Sequence, residues 1–269
     1  MDEREAITRA ARLLEAARRV VVLTGAGIST ESGIPDFRSP GGLWSKYNPA
    51  KLTYDLFCTS EETRRAYWQI ASESYPVLRD ARPNAAHQAV VRIEQAGKLS
   101  RLVTQNVDGL HLKAGNSAQA TIEIHGSALS AYCIECGAEH DRQEVHDRVQ
   151  GGQAVPLCTA CGGPLKPATI SFGQAMPERE TREAFEAAGT CDLMIVIGSS
   201  LVVYPAATLP DEAVRAGAEL VIVNREATDK DPLASAVVRG AAGESMSLIT
   251  RQAGLEAGGP AGPEAGEAV

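Results

Sequence analysis

A chain of 269 residues is long enough to bury one large core, or a large core with a small second unit attached. Its formal net charge of −8 argues against direct nucleic-acid binding and suits a small-molecule ligand or a cationic peptide. No apolar run approaches the roughly 18 residues that span a bilayer. Met1-Asp2-Glu3-Arg4 leads into no apolar stretch of the kind a secretory leader needs, so no membrane association and a cytoplasmic location are expected.

Ile7, Ala10, Leu14 and Ala17 recur at helical spacing, which predicts a helix over residues 2–19. The β-branched run from Val20 to Thr24 reads as a strand buried on both faces. It stops at Gly25-Ala26-Gly27, a tight turn that leaves room for a close ligand and whose backbone N–H groups can cradle a pyrophosphate. Asp36, Phe37 and Arg38 follow, with an acid, an aromatic face and a permanent cation. The spacing of Gly25, Gly27 and Gly33 departs from the G-x-G-x-x-G of dinucleotide folds. About 20 residues on, where that fingerprint wants a ribose-binding acid, stand Leu43 to Tyr47. On this stretch alone, a turn that binds nothing stays open.

Residues 39–58 show no periodicity and carry Pro40, Gly41, Gly42 and Pro49, which predicts a long loop. Ser60 before Glu61 and Glu62 starts a helix bearing Tyr67, Trp68 and Ile70, and Asn84 caps another that ends at Gly97. Short strands are predicted at Leu102–Thr104, Thr121–Ile124, Leu193–Ile197 and Leu220–Val223. Helices are predicted from Pro177 to Gly189 and from Asp211 to Ala216. Strands alternating with helices define an α/β chain with a parallel sheet covered on both faces, whose ligands bind beyond the carboxyl ends of the strands. Four strand ends finish in polar or Gly-rich sequence: Gly25-Ala26-Gly27, Gln105-Asn106, Gly198-Ser199-Ser200 and Asn224-Arg225-Glu226. The last residues, 254–269, are Gly, Ala, Pro and Glu with little to bury, and are expected to be a disordered tail.

Cys133-x2-Cys136 and Cys158-x2-Cys161 match the two paired knuckles of a four-thiolate zinc site, so one structural ion is expected within an inserted module. Two disulfides are the alternative, which a reducing cytosol disfavours. Cys58 and Cys191 have no paired spacing and read as ordinary apolar residues. Thr104-Gln105-Asn106-Val107-Asp108-Gly109-Leu110-His111 packs amide, carboxylate and imidazole groups behind a strand; they either satisfy a loop or line a pocket. Of the five histidines, His125 ends a strand on the face where the other polar ends gather. That makes it the best general-base candidate, against the alternative of a hydrogen-bonded structural residue. Gly126 beside it leaves the ring room.

These motifs, in this order, resemble the sirtuin family of NAD-dependent protein lysine deacylases. The likeness is carried by Gly25-Ala26-Gly27-Ile28-Ser29, Gly33-Ile34-Pro35-Asp36-Phe37-Arg38, Thr104-Gln105-Asn106-Val107-Asp108, His125-Gly126, the four cysteines, Phe172-Gly173, Gly198-Ser199-Ser200 and Asn224. The run from Gly198 to Pro205 resembles the bacterial and archaeal deacetylases. The resemblance implies a Rossmann-like sheet from residues 1–126 and 169–253 with a zinc ribbon inserted at 127–168. It implies NAD consumed as a co-substrate, with the Gly25–Thr30 turn on the pyrophosphate and Gly198, Ser199, Ser200, Asn224, Arg225, Ala241 and Ala242 around the adenosine half. Ala26, Ile34, Asp36, Phe37, Arg38, Gln105, Asn106, Val107 and Asp108 would line the nicotinamide side, with Asn106 and His125 catalytic. The acetyl group of an acetyl-lysine protein or peptide would pass to ADP-ribose, releasing nicotinamide and O-acetyl-ADP-ribose.

The peptide would add as a strand between Gly173–Ala175 and Val202–Tyr204, over an apolar tunnel of Phe37, Ile170, Phe172 and Val202. Ile70 stands where succinyl-removing members carry an Arg after the Tyr at 67, so acetyl is expected over acidic acyl groups. Gln174 replaces a common Glu, removing a negative charge near the peptide. A monomer is expected. The rival functions are a mono-ADP-ribosyltransferase or NAD glycohydrolase using the same pocket, and a non-catalytic NAD- or peptide-sensing scaffold.

Overall fold

Asp2 and Glu5 close a capping box at the start of α1 (Glu3–Ala16), which lays Ile7, Ala10 and Leu14 against the strand that follows. That strand, β1 (Val20–Thr24), is buried at every position. The computed structural model describes residues 2–36 and 47–255. Beyond β1 the chain turns through a 3-10 helix, Ala26–Ser32, so the glycine turn does open a helical segment. Phe37 and Arg38, and the part of the predicted loop up to residue 46, lie outside the described residues. The rest of that stretch departs from expectation, since Tyr54–Thr59 is a short helix, α2. Tertiary packing holds it: Phe57 is fully buried and meets the Tyr67 ring edge-on at 5.2 Å.

Helices α3 (Glu61–Asp80) and α4 (Ala85–Gln95) begin where expected, Ser60 accepting from Thr63 N–H and Asn84 from Ala86 N–H. Then come β2 (Leu99–Thr104), the short α5 (Leu110–Ala114) and β3 (Thr121–Glu123). A hairpin-like insert follows, made of β4 (Gly126–Cys133), β5 (Glu139–Asp141), α6 (Arg142–Gln150) and β6 (Leu165–Thr169). The chain returns through α7 (Glu178–Ala188), β7 (Leu193–Ile197), α8 (Leu209–Arg215) and β8 (Glu219–Val223). It closes with β9 (Ala236–Val238) and α9 (Ala242–Gln252), neither of which the sequence pattern announces.

Six strands form one parallel sheet in the order β3-β2-β1-β7-β8-β9. Its two faces carry separate cores. Alternate residues Val20, Val22, Ile195 and Val221 pack under α1, α4 and α9, while Val21, Leu23, Met194 and Val196 pack under α7 and α8. Period-two alternation with both faces covered is what makes these strands read as unbroken apolar runs. The insert forms a three-stranded antiparallel sheet, β5-β4-β6. A third core joins it to α3 through Trp68, whose indole N–H donates to Leu165 O at 2.8 Å, with Val145, Cys133 and Cys158 around it. No helix among the described residues is long and apolar enough to cross a membrane.

Candidate active site

The strand order reverses between β1 and β7, and an open α/β sheet binds its ligands beyond the strand ends at such a point. Here the two strand ends touch. Gly27 N–H donates to Gly198 O at 2.8 Å, and a Cβ built on Gly25 or Gly27 would lie 2.8 Å from that same oxygen. Gly198 adopts φ +62°, and its Cβ would press on Ile28 N and lie 2.5 Å from Gly27 C. The glycines are therefore demanded first by backbone meeting backbone, where the sequence suggested room for a ligand. Thr30 turns its hydroxyl back onto Gly27 O at 3.0 Å, closing the turn.

Side chains from three strand ends and the turn converge beside this contact. Asn106 is buried, and its amide donates to Gly25 O and to Ser29 Oγ, both at 3.1 Å. Ser29 in turn donates to Asp108 Oδ2 at 2.7 Å, and Leu110 N–H donates to Asp108 Oδ1 at 2.9 Å. Burial raises the Asp108 pKa against the pull of those donors. Burial and the neighbouring Asp108 push Glu123 up to about 7. Val107 is half-buried beside them, as are Ala26, Ile34 and Asp36 along the turn. Ser29 and Thr104 stand within runs that the sequence singled out, whereas Thr24 was read only as strand. Thr24 Oγ1 donates to Thr104 Oγ1 at 2.9 Å, and that oxygen accepts from Asn106 N–H at 3.1 Å. A hydroxyl at the last position of each of two adjacent strands was the available signal.

His125 follows β3 and is half-buried. Its Nδ1 lies 3.1 Å from Gln105 O. A carbonyl only accepts, so Nδ1 carries the proton and Nε2 keeps its lone pair. Burial lowers the His125 pKa, with the carbonyl acting weakly the other way, so the ring is neutral at neutral pH. Gln105 also donates through Nε2 to Ser199 Oγ at 2.8 Å. One residue thus ties the tip of β2 to His125 and to the tip of β7. Gly126 is needed for a reason other than access, since it sits at φ +73° and a Cβ there would collide with Ala168 O on β6. Of the other histidines, His87 and His111 lie in the interior with tilted rings 4.9 Å apart, His111 Nε2 3.0 Å from Thr24 Oγ1, and His140 and His146 lie in the insert.

Beyond Gly198, Ser199 is buried and Ser200 half-buried, and Leu201 takes a left-handed φ of +54°. Asn224 leaves β8 half-buried, with its amide on Glu226 O at 2.9 Å, and Arg225 is exposed. Ala241 and Ala242 stand at the start of α9, whose N-terminus is capped from a distance, Gly243 N–H donating to Glu31 Oε1 at 2.9 Å. Phe172, Val202 and Tyr204, the expected peptide lips, are exposed at 47, 48 and 66 %, with Gly173 exposed and Ile170 half-buried. Ile170 N–H donates to His125 O at 2.8 Å. Gln174, next to Phe172 and Gly173, is half-buried: its carbonyl oxygen accepts from Ser171 N–H at 3.1 Å and its NH2 donates to Tyr132 OH at 3.3 Å.

In the insert, the Sγ atoms of Cys133, Cys136, Cys158 and Cys161 lie within 4.8 Å of one another. Two of the pairs are 3.5 and 3.8 Å apart. A tetrahedral zinc with bonds of about 2.3 Å sets its sulfurs about 3.8 Å apart, whereas a disulfide needs about 2.05 Å. The donor set fits zinc, and backbone N–H groups of Ala160 and Gly163 point at Cys158 and Cys161 as they do to metal thiolates. Four thiolates leave no open position, which makes the ion structural. Cys191 is buried as expected, whereas Cys58 is exposed.

Fold and site together define a nucleotide-binding α/β protein carrying a thiolate-bound ribbon beside its crevice. The model of the Sir2 family matches residues 25–205. The chain is 44 % identical over 91 % of its length, and 95 % of the relative's, to the NAD-dependent protein deacetylase 1 of Bradyrhizobium diazoefficiens. Among solved structures it is similar to a Sir2–p53 peptide–NAD+ complex, at TM-score 0.84 and 36 % identity over 95 % of this chain and all of that one (100 %). It is also similar to a Sir2 variant holding deacetylated p53 peptide and 3′-O-acetyl ADP ribose, at TM-score 0.86 and 37 % identity over 95 % and 100 %. The chain belongs to the Sir2 family.

Proposed function

We propose that this chain is an NAD-dependent protein lysine deacetylase, which uses NAD as a co-substrate and moves acetyl from acetyl-lysine to ADP-ribose. The observation that carries the site assignment is the neutral His125, its Nδ1–H committed to Gln105 O and its Nε2 left basic, bonded through its own carbonyl to Ile170 in the peptide edge. His125 takes the proton from the sugar hydroxyl that becomes acylated. Asn106, Ser29 and Asp108 form one bonded set that orients the nicotinamide side, and the turn from Gly25 to Thr30, which opens a 3-10 helix, takes the pyrophosphate. Ser199, Ser200, Asn224, Arg225, Ala241 and Ala242 take the adenosine half. Phe172, Val202 and Tyr204 take the acyl-lysine stem, and Gly173 the peptide backbone.

The exposed apolar lips and the half-buried Ile70 beside Tyr67 support neutral acyl groups over acidic ones. We place residues 127–168 in a separate zinc-binding unit, and its four cysteines, spaced for a metal and not for disulfides, support a reducing compartment, the cytoplasm. Mass spectrometry after incubation with NAD and an acetylated peptide tests the activity. Nicotinamide and O-acetyl-ADP-ribose must appear only when both are present. ADP-ribose attached to protein, or nicotinamide released without peptide, overturns it.

A further inference from the structure

Lys166, the second residue of β6, is fully buried at 0 % exposure. Its ammonium meets no carboxylate in the ion pairs of the described residues. It donates to Pro167 O at 3.3 Å and to Thr169 O, and lies 5.4 Å from the centre of the Tyr67 ring and 5.9 Å from that of Tyr132. Carbonyl dipoles and two ring faces are what hold it. Burial lowers its pKa to about 7, the cost of keeping an amine in that place.

The cage continues outward as a closed circuit. Tyr67 OH bonds Thr169 Oγ1 at 3.0 Å and Ser171 Oγ at 3.1 Å. Ser171 N–H donates to Gln174, and Gln174 donates to Tyr132 OH, whose ring returns to Lys166. Residues 169, 171 and 174 are thereby gripped from below. Ile170 N–H between them binds His125 O, and Tyr54 N–H binds Phe172 O. The segment that lines the crevice is thus fastened at nearly every residue, at Thr169, Ser171 and Gln174 to the network around one buried lysine and at Ile170 and Phe172 to His125 and Tyr54.

We infer that Lys166 is a positioning residue for the acyl-lysine peptide, held between Tyr67 and Tyr132 so that it sets the edge 169–174 and, through Ile170, the placement of His125. It touches no substrate. The inference rests on the deacetylase reading, and the test separates the two. In the full-length protein, Lys166→Met is expected to raise the KM for an acetylated peptide about tenfold, the worth of one well-made buried hydrogen bond. The KM for NAD should stay within about twofold, because the tip of β1 and its partners on β7 are untouched. Lys166→Arg, which keeps charge and donors, should recover most of the loss. A merely structural role would lower the active fraction, hence kcat, and leave both KM values alone.

Tyr67→Phe keeps the ring over Lys166 and removes only the two hydroxyl bonds; it should raise the peptide KM about threefold and guards against a Lys166→Met protein that does not fold. An unchanged peptide KM in Tyr67→Phe, a parallel rise in the NAD KM of Lys166→Met, or no recovery in Lys166→Arg overturns the inference. A wild-type protein without peptide-dependent nicotinamide release sinks the deacetylase reading itself, and this inference with it.

Discussion

Gly198→Ala tests whether the meeting of β1 and β7 is what builds the crevice. At φ +62° an alanine pays the left-handed penalty, about 1–2 kcal/mol. Its methyl would also press on Ile28 N and lie 2.5 Å from Gly27 C, in backbone that cannot rotate away. Forced overpacking of that kind costs about 1–3 kcal/mol, so the sum is roughly 2–5 kcal/mol. Gly217→Ala is the control. Gly217 has φ +94° with nothing within 4 Å of the added carbon, so only the first cost applies. Thermal and urea unfolding of both variants, followed by NAD titration by calorimetry, separate the two costs. Gly198→Ala should lose about 1–3 kcal/mol more than Gly217→Ala and bind NAD more weakly, because relief of the clash spreads the turn. Equal losses in the two variants, or full NAD affinity in Gly198→Ala, would refute the close-contact account.

His125→Asn should lower kcat/KM about 10²–10⁴-fold while NAD and peptide affinities hold. Because burial sets the His125 pKa below 6.5, the acid limb of the pH–rate profile should have its midpoint below 6.5 and the rate should be level through neutrality. A midpoint near 7 would point to Glu123 instead. His87 and His111 titrate near 4 and 3 in the fold and at 6.5 outside it, so the unfolded chain binds more protons below 6.5. Their stabilisation is full above that pH and is lost as pH falls, about 1.4 kcal/mol per histidine per pH unit; a urea midpoint that stays flat from pH 6.5 to 4 would count against it. Chelation should release one zinc per chain and raise amide exchange across residues 126–169 while β1, β7 and β8 stay protected; uniform loss would deny the separate third core.

The sheet was legible because its strands are short, β-branched and buried on both faces, and because Ser60 and Asn84 mark helix starts by side-chain chemistry. Helix α9 was not, for its cap is Glu31, more than 200 residues away in sequence (separation 212), and Ala241 offers no side chain. Strand β9 is three residues long, too short to alternate. Helix α2 hangs on Phe57 meeting Tyr67, a contact no local pattern encodes. In the site, residue identities could be read but not their duties. Gly25, Gly27 and Gly126 looked like openings and also make close contacts, and Gln174, read only as a lost charge near the peptide, braces its segment through Ser171 and Tyr132 as well.

The missing ribose acid shows why counting residues fails here and what replaces it. A dinucleotide fold places that acid at the tip of its second strand, about 20 residues past the glycines. In this chain β2 begins only at Leu99, because α2, α3 and α4 are spliced into the first crossover. At the true tip of β2 stand Gln105 and Asn106, both uncharged, and both committed: Gln105 to Ser199 and to His125, Asn106 to Gly25 and Ser29. A carboxylate there would hold a ribose diol still for hydride transfer. Here the Gln105 side chain is neutral and bonded to Ser199, while the backbone carbonyl of the same residue holds a neutral imidazole whose free nitrogen can take a proton from such a hydroxyl; a base in place of an anchor suits a fold that breaks the nucleotide where others borrow it. Gln105→Glu puts this to the test. The carboxylate cannot donate to Ser199, and its charge beside His125 raises the imidazole pKa, so the acid limb of the rate profile should move up in pH. A limb that stays where it was would show that the side chain at 105 does not act on His125.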